Sequence, residues 1–113
     1  MRFKSKYNGR EFNFVFFDGY ESFSKVLKVW GINTGAILLD NKRSNVAAAT
    51  LYIGSNRPDE IMIGEWLGFT DDLRHYDVLP NLEMINRYYD MDPGYRYPDE
   101  LINRVGHLLK ETN

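Results

Sequence analysis

The chain contains no cysteine. That excludes disulfide staples and thiolate metal sites, and it fits a reducing compartment. No stretch approaches the roughly 20 apolar residues that a membrane-spanning helix needs. The opening run Met1-Arg2-Phe3-Lys4-Ser5-Lys6 places charge where a signal peptide needs an apolar segment. The expectation is a cytoplasmic chain without membrane association. Phosphate-cradling loops are missing too. Gly9, Gly19, Gly31 and Gly35 are too widely spaced, and no Gly-Lys-Ser/Thr occurs. Ser5, Ser22, Ser24, Ser44 and Ser55 stand in no Gly-x-Ser-x-Gly context. There is no internal repeat and no low-complexity segment.

What is present is ordinary globular material. The 113 residues are 43% hydrophobic and 27% charged, enough for one core in a single domain over residues 1–113. Charge is distributed unevenly. Residues 1–56 carry a net +4 and residues 57–113 a net −6. Such asymmetry points either to a charged face with a partner or to plainly solvated acid in one half.

The pattern predicts an α+β domain in the order ββαβββαα, with a mainly antiparallel sheet and the helices packed on one of its faces. Arg2 to Tyr7 and Arg10 to Phe17 read as a β-hairpin around Asn8-Gly9, a dipeptide suited to a two-residue type I′ turn. That turn pairs Tyr7 with Arg10, Ser5 with Phe12 and Phe3 with Phe14. One face then carries Phe3, Ser5, Tyr7, Phe12, Phe14 and Phe16. The other carries Arg2, Lys4, Lys6, Glu11, Asn13, Val15 and Phe17.

A helix follows over Gly19 to Trp30, with Asp18 and Glu21 spaced as a capping box, Phe23, Val26, Leu27 and Trp30 on one side, and Gly31 as its stop. Ala36 to Asp40 and Val46 to Ile53 read as strands, although Ala47-Ala48-Ala49 weakens the second. Ile61 to Leu67 reads as one further strand. A helix is expected over Asn81 to Tyr89. A last helix is expected after Pro98, with Leu101, Ile102, Val105, Leu108 and Leu109 as its apolar stripe. Phe3, Phe12, Phe14, Phe23, Val26, Leu27, Trp30, Val105 and Leu109 are expected to share one core.

Three groups of residues invite a functional reading. The first is Thr70-Asp71-Asp72-Leu73-Arg74-His75-Tyr76-Asp77. If helical, it sets Asp71 and His75 four residues apart on one side, a spacing that can hold a metal or orient an imidazole, with Asp77 and Glu65 nearby. The plainer reading is a helix start capped by Thr70 with the acids on its dipole, so no metal and no cofactor is expected. Asp90-Met91-Asp92 begins like a calcium loop, but Gly94 falls one position early and Leu101 stands where the bidentate glutamate belongs. His107 reads as a surface or half-buried histidine.

The second group is the alternation Arg2, Lys4 and Lys6. A basic sheet face with aromatics can stack single-stranded bases. The acidic whole and the inward-facing phenylalanines make nucleic acid an unfavoured partner, and lysines on an outer strand also block edge-to-edge pairing.

The third group is the most distinctive. Residues 59–100 hold eleven Asp/Glu against three Lys/Arg. Within them Tyr88, Tyr89, Tyr95 and Tyr97 are interleaved with Asp90, Asp92 and Asp99. Tyrosine anchors interfaces well, and surrounding acids steer a basic partner. The competing reading packs these rings onto the core, as at least one of the adjacent pair Tyr88 and Tyr89 must be. The expectation is a small protein-binding domain rather than an enzyme. Its surface chemistry is that of an inhibitor or immunity-type protein, of the kind phages and other mobile elements encode, directed at a basic, nucleic-acid-acting partner.

Overall fold

The hairpin forms, but two residues out of the register that a tight Asn8-Gly9 turn would impose. In a computed structural model that describes residues 2–40, 45–54 and 57–91, and within them all side chains except those of 38–40, 45 and 46, β1 (Arg2–Ser5) pairs with β2 (Glu11–Phe16) through Arg2 opposite Asn13 and Phe3 opposite Phe12. The connection runs from Lys6 to Arg10, five residues. Gly9 turns the chain at φ 71° and donates its N–H to the Ser5 carbonyl at 2.9 Å, while Ser5 donates to the Arg10 carbonyl at 2.8 Å. Local side chains favour the wider loop, with Ser5 Oγ accepting from the Tyr7 N–H and Asn8 Oδ1 from the Arg10 N–H. A slip of two residues leaves the side chains within β1 and β2 on their expected faces, because the strand period is two, whereas Tyr7, expected beside the phenylalanines, falls in the loop and is exposed.

The hairpin is the middle of a five-stranded antiparallel sheet with the order β7-β6-β2-β1-β8, where β6 is Trp66–Phe69, β7 Tyr76–Leu79 and β8 Tyr89–Met91. A second antiparallel sheet, β3-β4-β5, holds Asn33–Asp40, Asn45–Tyr52 and Asp59–Met62. The stretch expected as one strand over Ile61 to Leu67 is therefore two strands in different sheets. Between them Glu65 donates to the Met62 carbonyl, and Gly64 takes φ 92°, a left-handed value that glycine adopts without strain. Ile61 and Leu67 still face the same core. The β-rich part of the chain thus holds eight strands among the described residues, where five were expected.

Both faces of the five-stranded sheet are covered. On one, Val15, Phe17, Leu67 and Phe69 join Ala49, Leu51, Ile53 and Ile61 from the smaller sheet and Phe23 and Leu27 from α1 (Tyr20–Val29). On the other, Phe3, Phe12 and Phe14 meet Leu79, Tyr89 and Ile85 of α2 (Leu82–Tyr88). The two described helices thus pack on opposite faces, not on one. The expected single core is two: Phe3, Phe12 and Phe14 lie in the second, while Phe23 and Leu27, flanked by Val26 and Trp30, lie in the first. The cause is β2 itself, which carries apolar side chains in both directions, so its second face cannot be left to water. Val105 and Leu109, with the whole helix expected after Pro98, lie outside the described residues.

The helix ends follow their local signals. Gly31, at φ 83°, closes α1 in a Schellman motif: Gly31 and Ile32 donate to the carbonyls of Lys28 and Leu27, and Ile32 and Leu27 bury together. The expected capping box is replaced by Gly19 at the N-cap, without a side-chain bond. Asn81 caps α2 by accepting the Met84 N–H at 2.9 Å. The alanine run lies in β4, the middle strand of the smaller sheet, with Ala48 and Ala49 buried.

Candidate functional site

The segment Thr70 to His75 is not helical. It is a tight loop between β6 and β7, closed by the Thr70 N–H donating to the His75 carbonyl at 3.0 Å and by the His75 N–H donating to Thr70 Oγ1 at 3.2 Å. Leu73 takes φ 60° there and packs against the larger core. Asp72 receives the Thr70 hydroxyl at 2.6 Å and the Arg74 N–H at 3.0 Å; these bonds, the hydroxyl's first, hold its carboxyl below the usual aspartate value. Asp71 points elsewhere, to the Arg2 guanidinium, with contacts of 2.8 and 3.3 Å. Asp77 lies on β7, opposite Gly68 and beneath Tyr89. Glu65 accepts the Met62 N–H. Asp71, His75 and Asp77 therefore do not converge, because the helix that would have aligned the first two is absent.

Arg2 is also not where a basic nucleic-acid face needs it. It is buried and engages Asn13 Oδ1 and Asp71; Asn13 in turn donates to Asp71 at 2.8 Å and to the Phe69 carbonyl at 3.4 Å. The pair ties the N-terminal strand to the β6–β7 loop. Lys6 sits in the hairpin loop. Its ammonium donates to the Asn86 carbonyl at 2.8 Å in the last turn of α2, where the helix dipole is negative, and stands 3.6 Å from Asp90. Only Lys4 of the three remains an exposed strand cation.

The tyrosine pair separates cleanly. Tyr89 is 7% exposed; its ring meets those of Phe12 and Phe14 edge-on at 5.0 and 4.9 Å. It belongs to the core, since β8 pairs with β1 and turns this ring onto the sheet. Tyr88, the last residue of α2, is 50% exposed. Asp90 faces solvent opposite Lys4. Asp92, Tyr95, Tyr97 and Asp99 lie outside the described residues.

A groove of about 410 Å³ opens between the hairpin loop and the end of α2, lined by Ser5, Lys6, Tyr7, Asp77, Arg87, Tyr88 and Tyr89. Tyr7 is 95% exposed. The Lys6 N–H donates to the Tyr88 carbonyl at 3.0 Å, which holds the loop and the helix end side by side. The Tyr89 hydroxyl reaches Asp77 Oδ2 at 3.4 Å. Burial pushes the Asp77 carboxyl up, against the opposing effect of its bonds from Tyr89 and the Val78 N–H. Burial and the neighbouring Asp77 charge push the Tyr89 phenol up to about 12.

Tyr7, Asp77 and Arg87 were not foreseen as neighbours of Tyr88. Tyr7 is sequence-adjacent to an Asn-Gly turn, which marks it as exposed, but only the pairing of β1 with β8 brings it beside α2. No family model, no curated protein and no solved structure matches the chain.

Proposed function

We propose that the chain is a small protein-binding domain, acting in the cytoplasm as an inhibitor or immunity-type protein, that blocks a basic partner through the face bearing Tyr7, Tyr88 and Asp90. The observation that carries this reading is the pair of exposed tyrosines around one groove, Tyr88 from the half of the chain with the acidic excess and Tyr7 brought to it from the first half. Tyrosine gives large contact area at little conformational cost, and acids around it raise the association rate of a cationic partner. Among the described residues Tyr89 supports this face from the core and Tyr7 stands beside Tyr88, while Asp92, Tyr95, Tyr97 and Asp99 lie outside the described residues. An enzyme centred on Asp71, His75 and Asp77 is disfavoured by their separation. A single-strand binding face is disfavoured by the withdrawal of Arg2.

The test is affinity capture from the native host with the full chain, followed by kinetics against the recovered partner. Tyr88→Ala is expected to raise the dissociation rate at least tenfold, as hot-spot tyrosines do. Asp90→Ala is expected to slow association and weaken its dependence on salt. Wild-type rates in both variants would reject this face.

A further inference from the structure

Asp77 is an unusual lining for a groove. It stands on the sheet face otherwise occupied by Phe12, Phe14 and Tyr89, opposite Gly68, over which the Phe14 ring lies. It is half-buried. Among the described residues its hydrogen-bond partners are the Tyr89 hydroxyl and the Val78 N–H, and no cation stands within ion-pairing distance of it. A carboxylate partly withdrawn from water and short of a positive partner is costly to keep charged. Two cations share the groove. Lys6 is already turned to the Asn86 carbonyl and Asp90, and Arg87 forms no ion pair with Asp77.

Resting on the partner reading above, we infer that this groove is a receptor for one arginine side chain of the basic partner, with the Asp77 carboxylate taking the guanidinium and the Tyr7 and Tyr88 rings bounding it. A guanidinium fits this site better than an ammonium does. It is planar, it stacks on phenol rings, and its forked N–H groups suit a carboxylate already held from one side by a hydroxyl. The volume of about 410 Å³ lies near the small end of the range for ligand sites, enough for one long side chain. An anion in the groove would meet the Asp77 carboxylate, and of the two lining cations Lys6 is turned to Asn86 and Asp90, which leaves Arg87 alone to hold it. Arg87 then acts as a competitor at the rim, which gives the site a recognisable signature: removing it strengthens binding.

The test needs no partner. Ethylguanidinium chloride is titrated into the ¹⁵N-labelled full chain at constant chloride, with sodium acetate in parallel, and the amides of Ser5, Asp77, Tyr88 and Tyr89 are followed. Ethylguanidinium is expected to shift these amides saturably. Asp77→Asn, which keeps the shape and the bond from Tyr89, is expected to weaken the response at least tenfold while the spectrum keeps its native dispersion. Arg87→Ala, at an exposed position that cannot threaten folding, is expected to tighten it severalfold. Unsaturable shifts, or an unchanged response in Asp77→Asn, would overturn the inference. So would acetate shifting the same amides and losing that effect in Arg87→Ala, which would make this an anion site. Any of these results removes the arginine receptor alone; the partner reading stands or falls separately on the Tyr88 kinetics.

Discussion

Gly68 on β6 lies directly across from Phe14 on β2, and the Phe14 ring fills the space where a side chain at Gly68 would begin. A Cβ there would stand 2.4 Å from two ring carbons. The glycine is required by close approach, not by backbone conformation, and it lets a fully buried phenylalanine lie flat on its own sheet. Gly68→Ala is expected to destabilise the protein by about 1–3 kcal/mol through overpacking. Phe14→Ala is expected to cost about 3–5 kcal/mol. In the double variant the alanine at 68 has room, so the two losses should fall well short of additive. Urea unfolding of the four proteins measures this; strict additivity would mean that the ring does not occupy that space.

The adjacent tyrosines should part company in stability. Tyr89→Ala removes a ring packed against Phe12 and Phe14, and a loss of about 3–5 kcal/mol is expected. Tyr88→Ala removes a half-exposed ring and should stay within about 0.5 kcal/mol of wild type. Thermal and urea unfolding of both variants checks the assignment, and equal losses would contradict the placement of β8 beside β1.

Asp77 and Tyr89 predict opposite ends of a pH profile. For Asp77 the folded carboxyl pKa is raised, so the folded state holds this proton more tightly than the unfolded chain. Its contribution to stability is present below the ordinary aspartate value and is lost as pH rises through the folded pKa. At pH 7 the ionised group is therefore a net cost, modest because it is half-buried. Asp77→Asn is expected to raise the melting temperature at pH 7, by an amount that shrinks on acidification. For Tyr89 the phenol is raised from 10.0 to about 12, so its contribution is present below pH 10 and lost between about 10 and 12. Tyr89→Phe should flatten the alkaline decline in that window. Melting curves of the two variants from pH 3 to 11 test both signs.

The Arg2–Asp71 pair predicts a structural, not chemical, role for the acid that sequence spacing set beside His75. Asp71→Ala deletes two bonds to a buried guanidinium and one from Asn13, and about 2–4 kcal/mol of stability should go with them. His75→Ala, at an exposed position whose backbone does the bonding, should change stability by less than about 0.5 kcal/mol. A titration with zinc and manganese on untagged protein completes the comparison: no stoichiometric ion is expected, and one lost in His75→Ala would restore the metal reading.

Features carried by neighbouring residues were legible in the chain. Gly31 marks the end of α1 because only the two residues beside it and the last helical turn are involved, and Asn81 marks the start of α2 for the same reason. The faces of Phe3, Phe12 and Phe14 were legible because alternation survives a slip of two residues. Misreadings occurred where the deciding contact is distant. Met62 to Glu65 looks like mid-strand, since Ile61 and Leu67 both point inward. The turn at Gly64 is set by two sheets, with Ile63 held to Ala47 and Gly64 to Phe17. Arg2 looks like a surface cation, and its burial depends on Asp71, whose inward direction is imposed by the β6–β7 loop.

The sequence by itself determined the class of architecture, the Gly31 stop of α1, the inward phenylalanine face of the first hairpin and the acidic excess of the second half, because each is encoded in short-range periodicity, turn chemistry or composition. Tertiary structure alone decided that β2 is a central strand with a core on each side, that the helices cover opposite faces, and that Tyr88 faces out while Tyr89 faces in. It also decided that Tyr7, Asp77 and Arg87 meet around one groove. These follow from which strands pair and in what register, and strand pairing is a choice among distant partners settled by the total burial it achieves. A residue's own neighbours in the chain carry almost none of that information. The candidate site is built from segments more than sixty residues apart, so it exists only once β1 has chosen β8.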